Sequence, residues 1–509
     1  MKNALLGTML LLALPGHYLF SQEKKDTLCI LQLNDVYEIG ALDQGRVGGM
    51  ARVATLVKQH EARYQTLVVV AGDFVSPSVI GTTKVDGQRV SGKHIVELMN
   101  QAGVDLVTFG NHEFDISEKD LQHRINESRF QWLSSDVQHV GSTGVATPFY
   151  KTAPDSTAVP PYFLLTSTNN QFTVGIVTAT IASNRQPWVR YQDRLPMMKS
   201  AWKQIRRKSD LVIGLTHLNV ADDLILLRKM KRLPLIMGGH DHENMFATNS
   251  RGAVAKADAN AKTMYRHLIF RSGRKGKVQV VSTLLAVDTT VLPDPGTAEK
   301  IKDWESKAYA SFRAIGLEPS AVVYNTPEPL DGKEASVRQK QTNLGVLVAS
   351  AMLAASPSAD AAVFNSGSIR VDDMIQGVVT QLDIIRTLPF GGKICEVEMS
   401  GTLFQKMLLT AERLKGTGAY LQRSSNISVV EGKPLLNNLP IDTGRTYTII
   451  SAEFLFSGVE KGLEFLKEGT EGIKSIKRFD APGDIHTDVR LAVVTYLAGL
   501  QAKMAGHSQ

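Results

Sequence analysis

Val107-Thr108-Phe109-Gly110-Asn111-His112-Glu113-Phe114-Asp115 is a short apolar run that passes straight into a polar cluster, the pattern of a buried strand whose end carries chemistry. Asn111 offers a neutral amide oxygen to a divalent cation. His112 can reach a phosphoryl oxygen, and Asp115, three residues on, can hold and polarise the imidazole. Taken alone, the stretch also reads as helix-capping polar residues beside one surface histidine, so the rest of the chain has to decide.

The pattern recurs. Thr27 to Leu33 is a β-type apolar run ending in Asn34-Asp35-Val36-Tyr37, and Thr66 to Ala71 ends in Gly72-Asp73. Both place a carboxylate where a buried strand stops, the edge at which α/β sheets present ligands. Between these runs, Gly48-Gly49 opens a helix over Met50 to His60. Ser91 to Ala102 then sets Ile95, Leu98, Met99 and Ala102 on one helical face. Strand, helix, strand in this order predicts an α/β sandwich with right-handed crossovers. Further on, Phe172 to Thr178 is a strand and Asp210 to Leu215 another, ending in Thr216-His217. A helix near Asp222 to Met230 leads to Leu235-Ile236-Met237-Gly238-Gly239-His240-Asp241-His242. Any one of these histidines is as readily a loop residue bonded to backbone. Five strand ends that all stop in Asp, Asn or His are not explained that way. The donors are oxygen and nitrogen without thiolate, which suits Zn, Mn or Fe better than a structural cysteine site. A central aspartate, Asp73 being the natural candidate, can bridge two cations, and such a pair activates water and clamps a phosphoryl group.

With 509 residues the chain is too long for one core and is expected to form two domains. Hydrophobic residues make up 43% and charged residues 21%, ordinary for a soluble globular protein. The net charge of +7 suits an anionic substrate, but Lys and Arg are dispersed with no basic arm, which argues against a nucleic-acid partner. Met1 to about Ser21 combines Lys2, an apolar run from Ala4 to Leu14 and the breaker Pro15-Gly16, the layout of a secretory signal peptide. No later segment is apolar enough to span a bilayer, so an exported chain without a stable membrane anchor, periplasmic or secreted, is expected. Cys29 and Cys395 are the only cysteines and read as packed, inert thiols.

With Asn34-Asp35, Gly72-Asp73, Gly110-Asn111-His112-Glu113-Phe114-Asp115, Thr216-His217 and Gly239-His240-Asp241-His242 in view, the chain resembles the 5′-nucleotidase family of calcineurin-like metallophosphoesterases over nearly all of its mature length. The resemblance implies an N-terminal four-layer α/β/β/α metallophosphoesterase sandwich and a C-terminal α/β substrate domain of the 5′-nucleotidase type. It implies two divalent or mixed-valence metal ions (Zn, Mn or Fe), with Asp35, Asp73, Asn111, His217, His240 and His242 as ligands and Asp73 bridging. His112 and Asp115 resemble the family's transition-state-stabilising pair. One departure is clear: where the family has Asp-x-His, this sequence has Asp35-Val36-Tyr37. Tyr37 either ligates, hydrogen-bonds a ligand, or leaves one metal less tightly held.

The expected organisation is a signal peptide over 1–21, a catalytic domain over 26–295, a joining helix over 296–320 and a substrate domain over 321–505. In that last part Arg338, Asn365 and Arg370 fall on family positions that contact the substrate, where guanidinium groups suit an anion. Of the two rings that sandwich the base in nucleotidases, the first is read as Tyr420 in Gly418-Ala419-Tyr420-Leu421-Gln422. The second is absent, because the corresponding Ser457-Gly458-Val459-Glu460-Lys461-Gly462-Leu463 carries no aromatic. The implied function is phosphoric monoester hydrolysis, with 5′-nucleotides as substrate and a monomeric enzyme. Another phosphomonoester or phosphodiester, or a binding protein with a decayed metal site, are the alternatives.

Overall fold

The computed structural model describes residues 27–168, 171–230, 232–271 and 276–506. The segment read as a signal peptide lies outside them. The described chain opens on four parallel strands, β1 (Leu28–Leu33), β2 (Gln65–Val70), β3 (Leu106–Thr108) and β4 (Gln131–Leu133). A second sheet comes next: β5 (Tyr162–Thr166), β6 (Thr173–Thr180), β7 (Leu211–His217), β8 (Leu235–Gly239), β9 (Met245–Asn249) and β10 (Gly252–Lys256). The chain then returns to the first sheet with β11 (Thr263–Arg271) and β12 (Val278–Ala286), giving the order β12-β11-β1-β2-β3-β4. The second sheet has the order β5-β6-β7-β8-β10-β9, with β6, β7, β8 and β10 parallel.

Side-chain alternation explains why the two sheets stack. Leu28 and Ile30, Leu67 and Val69, Val174 and Ile176, Ile213 and Leu215 share one core between the sheets. Their neighbours Cys29 and Leu31, Val68 and Val70 face outward, under a layer of helices. In that layer the helix Met50–Glu61 buries Met50, Val53, Ala54 and Val57, one face at helical spacing. It starts at Gly49, whose φ of 96° suits glycine. On the far side Val212, Ile236 and Val254 pack under the helices Arg194–Ile205 and Val220–Lys229. The result is the expected four layers, α/β/β/α.

The helix Pro295–Arg313 begins on an Asp294 cap with proline in its first turn. Its Ile301, Trp304 and Ala308 belong to the N-terminal core, whereas Phe312 packs with Leu317 and Ile385 of the C-terminal part. That part is built on a five-stranded sheet containing Ala361–Asn365, Thr446–Ala452 and Ile394–Ser400. Ala362 and Phe364 face the helices Asn343–Ala355 and Val489–Gly506, while Ala361 and Val363 face Gly401–Arg413. No helix among the described residues is long and apolar enough to cross a membrane. Cys29 and Cys395 are buried, and burial pushes both thiols up to about 12, as inert packed cysteines require.

Candidate metal centre

Because β1, β2 and β3 run parallel, their carboxyl ends lie at one edge. The ends of β7 and β8 meet them from the second sheet. Asp73, His217 and His240 come together so that their ligand atoms lie within 4.8 Å of one another. His217 Nε2 is 3.0 Å from Asp73 Oδ2 and 4.0 Å from Asp35 Oδ1. His242 Nε2 is 3.3 Å from Asp35 Oδ1. Asp35, Asp73 and His217 are completely buried, and Asn111 nearly so. Asp35, Asp73, His240 and His242 all have left-handed backbone, with φ of 54°, 57°, 87° and 59°. Such conformations cost of order 1–3 kcal/mol each for non-glycine residues and cluster where side chains must be aimed.

Two buried atoms make the chemical argument. His217 Nδ1 lies 2.7 Å from the carbonyl of Ala71, so it carries a proton in either charge state, and Nε2 is the atom turned to the carboxylates. Neither that Nε2 nor Asn111 Oδ1 has a hydrogen-bond partner. A buried amide oxygen without a donor, beside an imidazole nitrogen aimed at carboxylates, fits a cation that takes the place of the imidazole proton. The electrostatics agree. Burial works against a charged His217, yet Asp73 and Asp35 outweigh it and hold the imidazole up at about 9. Burial likewise opposes ionisation of Asp73, but His217 and His112 keep it well below the usual carboxylate range. The cluster favours positive charge, and divalent ions supply it. His240, lowered to about 4 by burial and by His217, is neutral and available as a donor.

Tyr37 stands among these groups. Its hydroxyl is 3.1 Å from Asp73 Oδ2, 3.1 Å from His242 Nε2 and 3.4 Å from Asp35 Oδ1. Burial and the charges of Asp73 and Asp35 push the phenol well above its ordinary pKa. His112 flanks the cluster: its backbone N–H donates to Asp73 Oδ1 at 2.8 Å, and its Nδ1 is 2.6 Å from Asp115 Oδ2. Burial opposes the charged imidazole, but Asp115 and Asp73 raise its pKa.

Four residues near the centre were not singled out from sequence. Glu113 is buried and accepts from the backbone N–H groups of Asp73, Phe74, Val75 and Gly110, joining two ligand loops. Asn34 donates to Asp35 Oδ2 at 2.8 Å and Asn184 to Asp115 Oδ1 at 2.7 Å. Asp372 lies 2.5 Å from His242 Nδ1. Glu113 and Asn34 stand inside the motifs, whereas nothing local marks Asn184 or Asp372.

The chain belongs to the 5′-nucleotidase family of calcineurin-like phosphoesterases. Its residues 29–244 match the calcineurin-like phosphoesterase model and residues 322–468 the 5′-nucleotidase C-terminal domain model. It is 24% identical to a 5′-nucleotidase of Bos taurus, over 89% of this chain and 87% of that one. Identity to the trifunctional nucleotide phosphoesterase YfkN of Bacillus subtilis is 25% over 82% of this chain, which spans only 31% of that longer protein. The crystal structure of a 5′-nucleotidase precursor from Thermus thermophilus shares the fold, with a TM-score of 0.69 at 21% identity over 93% of this chain and 97% of that one. This 5′-nucleotidase-family chain is accordingly a metal-dependent phosphoesterase.

Of the residues expected to bind substrate, Arg370 reaches the centre, with its Nη2 3.2 Å from His112 Nδ1 and 3.6 Å from Asp115 Oδ2. Arg338 pairs with Glu334 at 2.7 Å. Asn365 donates to Glu460 at 2.8 Å and accepts from Ser368 at 2.7 Å. Tyr420 does not fit the expected role of stacking ring. It is 2% exposed, its hydroxyl accepts from Gln341, and Lys415 lies over its ring, so no face is open to a base. The ring exposed beside Arg370 is Phe390, 53% exposed with the guanidinium 5.9 Å from its centre.

Proposed function

We propose that the chain is an exported, monomeric phosphoric monoester hydrolase with a dinuclear metal centre, acting on nucleoside 5′-monophosphates. The observation that carries the metal part is the pair of buried atoms without hydrogen-bond partners, His217 Nε2 and Asn111 Oδ1, among carboxylates and imidazoles. Asp35, Asp73, Asn111, His217, His240 and His242 would hold the ions, with Asp73 central among them. Bound ions of this kind supply Lewis acidity and lower the pKa of water at neutral pH. The protein's own groups orient and neutralise. His112, with Nδ1 held by Asp115, points Nε2 into the site, where it can donate to a departing or equatorial phosphoryl oxygen. Arg370 brings a cation to the same place from the C-terminal part, suited to a phosphoryl dianion. Export rests on the composition of residues 1–21.

The names of the bovine and bacterial relatives favour a nucleotide, and Phe390 is the ring that can meet a base. Burial of Tyr420 and the missing aromatic in 457–463 favour a second reading, a phosphate ester without a base to sandwich. Phosphate release by the mature chain, loaded separately with Mn, Zn or Fe, distinguishes them. Nucleoside monophosphates, sugar phosphates and an aryl phosphate are compared, with Asp73→Asn as control. The nucleotidase reading expects a preference for nucleotides, abolished by chelation and by Asp73→Asn. Turnover of the other esters alone supports the second reading. No metal-dependent turnover of any of them overturns both.

A further inference from the structure

Two of the imidazoles read as metal ligands are held through Nδ1, by partners of different origin. His217 is held by the Ala71 carbonyl of its own domain at 2.7 Å. His242 is held by Asp372 Oδ2, from the C-terminal part of the chain, at 2.5 Å. Carbonyl and carboxylate oxygens only accept, so Nδ1 keeps a proton in both rings, and Nε2 is the atom that would give up its proton to a bound ion. For His242 that atom faces Asp35 Oδ1 at 3.3 Å and the Tyr37 hydroxyl at 3.1 Å.

Asp372 is itself fixed. Its φ is 41°, a left-handed conformation that Asp and Asn tolerate better than other side chains. Its second carboxylate oxygen accepts from the backbone N–H of Glu334 at 2.5 Å, and Glu334 pairs with Arg338. Burial opposes its ionisation, but His242 and the Glu334 N–H outweigh it and hold the carboxyl well below the usual range. The flanking residues dock as well, Arg370 on His112 and Asp115, and Asp373 on Lys262. One short segment, 370–373, thus lands on both halves of the centre.

We propose that Asp372 is a positioning residue for His242, so that seating of the C-terminal domain completes the metal centre. The inference rests on the metal-centre reading above. When the C-terminal domain lifts, His242 loses its acceptor and its ring is free to turn, so the ion that His242 holds is bound most tightly in the seated arrangement. A substrate-binding domain and the affinity of one metal position are thereby linked.

The test is a titration of the metal-free mature chain with Mn(II) or Zn(II) against a chromogenic chelator, for wild type, Asp372→Ala and Asp372→Asn. Wild type is expected to take two equivalents. Asp372→Ala should keep one at wild-type affinity and bind the other about 10–100-fold more weakly. Asp372→Asn, whose amide oxygen still accepts from Nδ1–H, should recover most of that loss. Melting curves of the metal-free chains show whether the variants are folded, and Asp372→Gly, at ease with left-handed backbone, provides a second carboxylate-free chain. Wild-type affinity for both equivalents in the folded Ala or Gly chain overturns this inference and leaves the metal centre standing. A wild-type chain that takes up no metal overturns both.

Discussion

At the scale of single residues the informative position is Tyr37. A phenol oxygen lies where three other side chains of the centre converge, 3.1–3.4 Å from Asp73, His242 and Asp35. With those carboxylates beside it and burial excluding solvent, the phenol stays protonated and donates to one of them. A protonated phenol is a weak ligand, so an ion held on the Asp35 and His242 side would have one strong donor fewer than an imidazole at this position would provide. Tyr37→His is therefore expected to raise affinity for Zn or Mn by about 10-fold, about 1.4 kcal/mol, measured by competition with a chelator. Metal content and turnover that match the wild type would remove Tyr37 from any role at the centre. The substitution is plain in the sequence as a break in a motif. The atoms it touches are not, because His242 is brought to Tyr37 by the fold from 205 residues away.

At the scale of elements, the centre is a set of strand ends held in register. The apolar runs and their polar stops were legible in sequence because both signals are local: β-type residues buried on two faces, then Asp, Asn or His. Strand ends were less so. β6 continues to Thr180 and β7 to His217, since parallel pairing carries the ladder past the last apolar residue. What sequence could not show is how the loops are tied. Glu113 reads as one acid in a motif, yet it draws the β2 and β3 loops together through four backbone N–H groups. Tyr420 failed for a related reason: an aromatic residue type is the same whether it stacks on a ligand or fills a core, and only packing separates them. The loops also approach so closely that Gly110 has no room for a side chain. A Cβ there would stand 2.1 Å from Asp73 Oδ1 and 2.7 Å from the Asp73 backbone nitrogen. Gly110→Ala should therefore destabilise the protein by ~1–3 kcal/mol and displace the central carboxylate. The check is a lowered melting temperature together with metal uptake that falls below two equivalents. An unchanged melting temperature with full metal content would show that the loops yield without cost.

At the scale of the whole molecule, the contacts that cross between the two parts of the chain are polar: Arg370 with His112 and Asp115, Asp372 with His242, Asp373 with Lys262, Lys333 with Glu243. The apolar contact gathers where the joining helix ends, with Val79, Phe312 and Leu317 against Ile385. Polar faces that meet across a substrate site and an apolar pivot beside a helix end are the arrangement of a hinge. We place that hinge just after Arg313. In this seated state Arg370 lies against the Nδ1 side of His112, and we infer that substrate entry and product release involve movement of the C-terminal part. Lys333 and Glu243 are exposed enough to be labelled, and the two native cysteines are buried, so Lys333→Cys with Glu243→Cys gives two accessible thiols at the crossing. Joining them with a disulfide-containing crosslinker should cut turnover by at least about 10-fold, and reduction should restore it. Metal content should stay at the wild-type level throughout, which separates arrested motion from a damaged centre. Full turnover in the joined form would mean that substrate reaches His112 without the two parts separating, and the hinge would then have no part in the catalytic cycle.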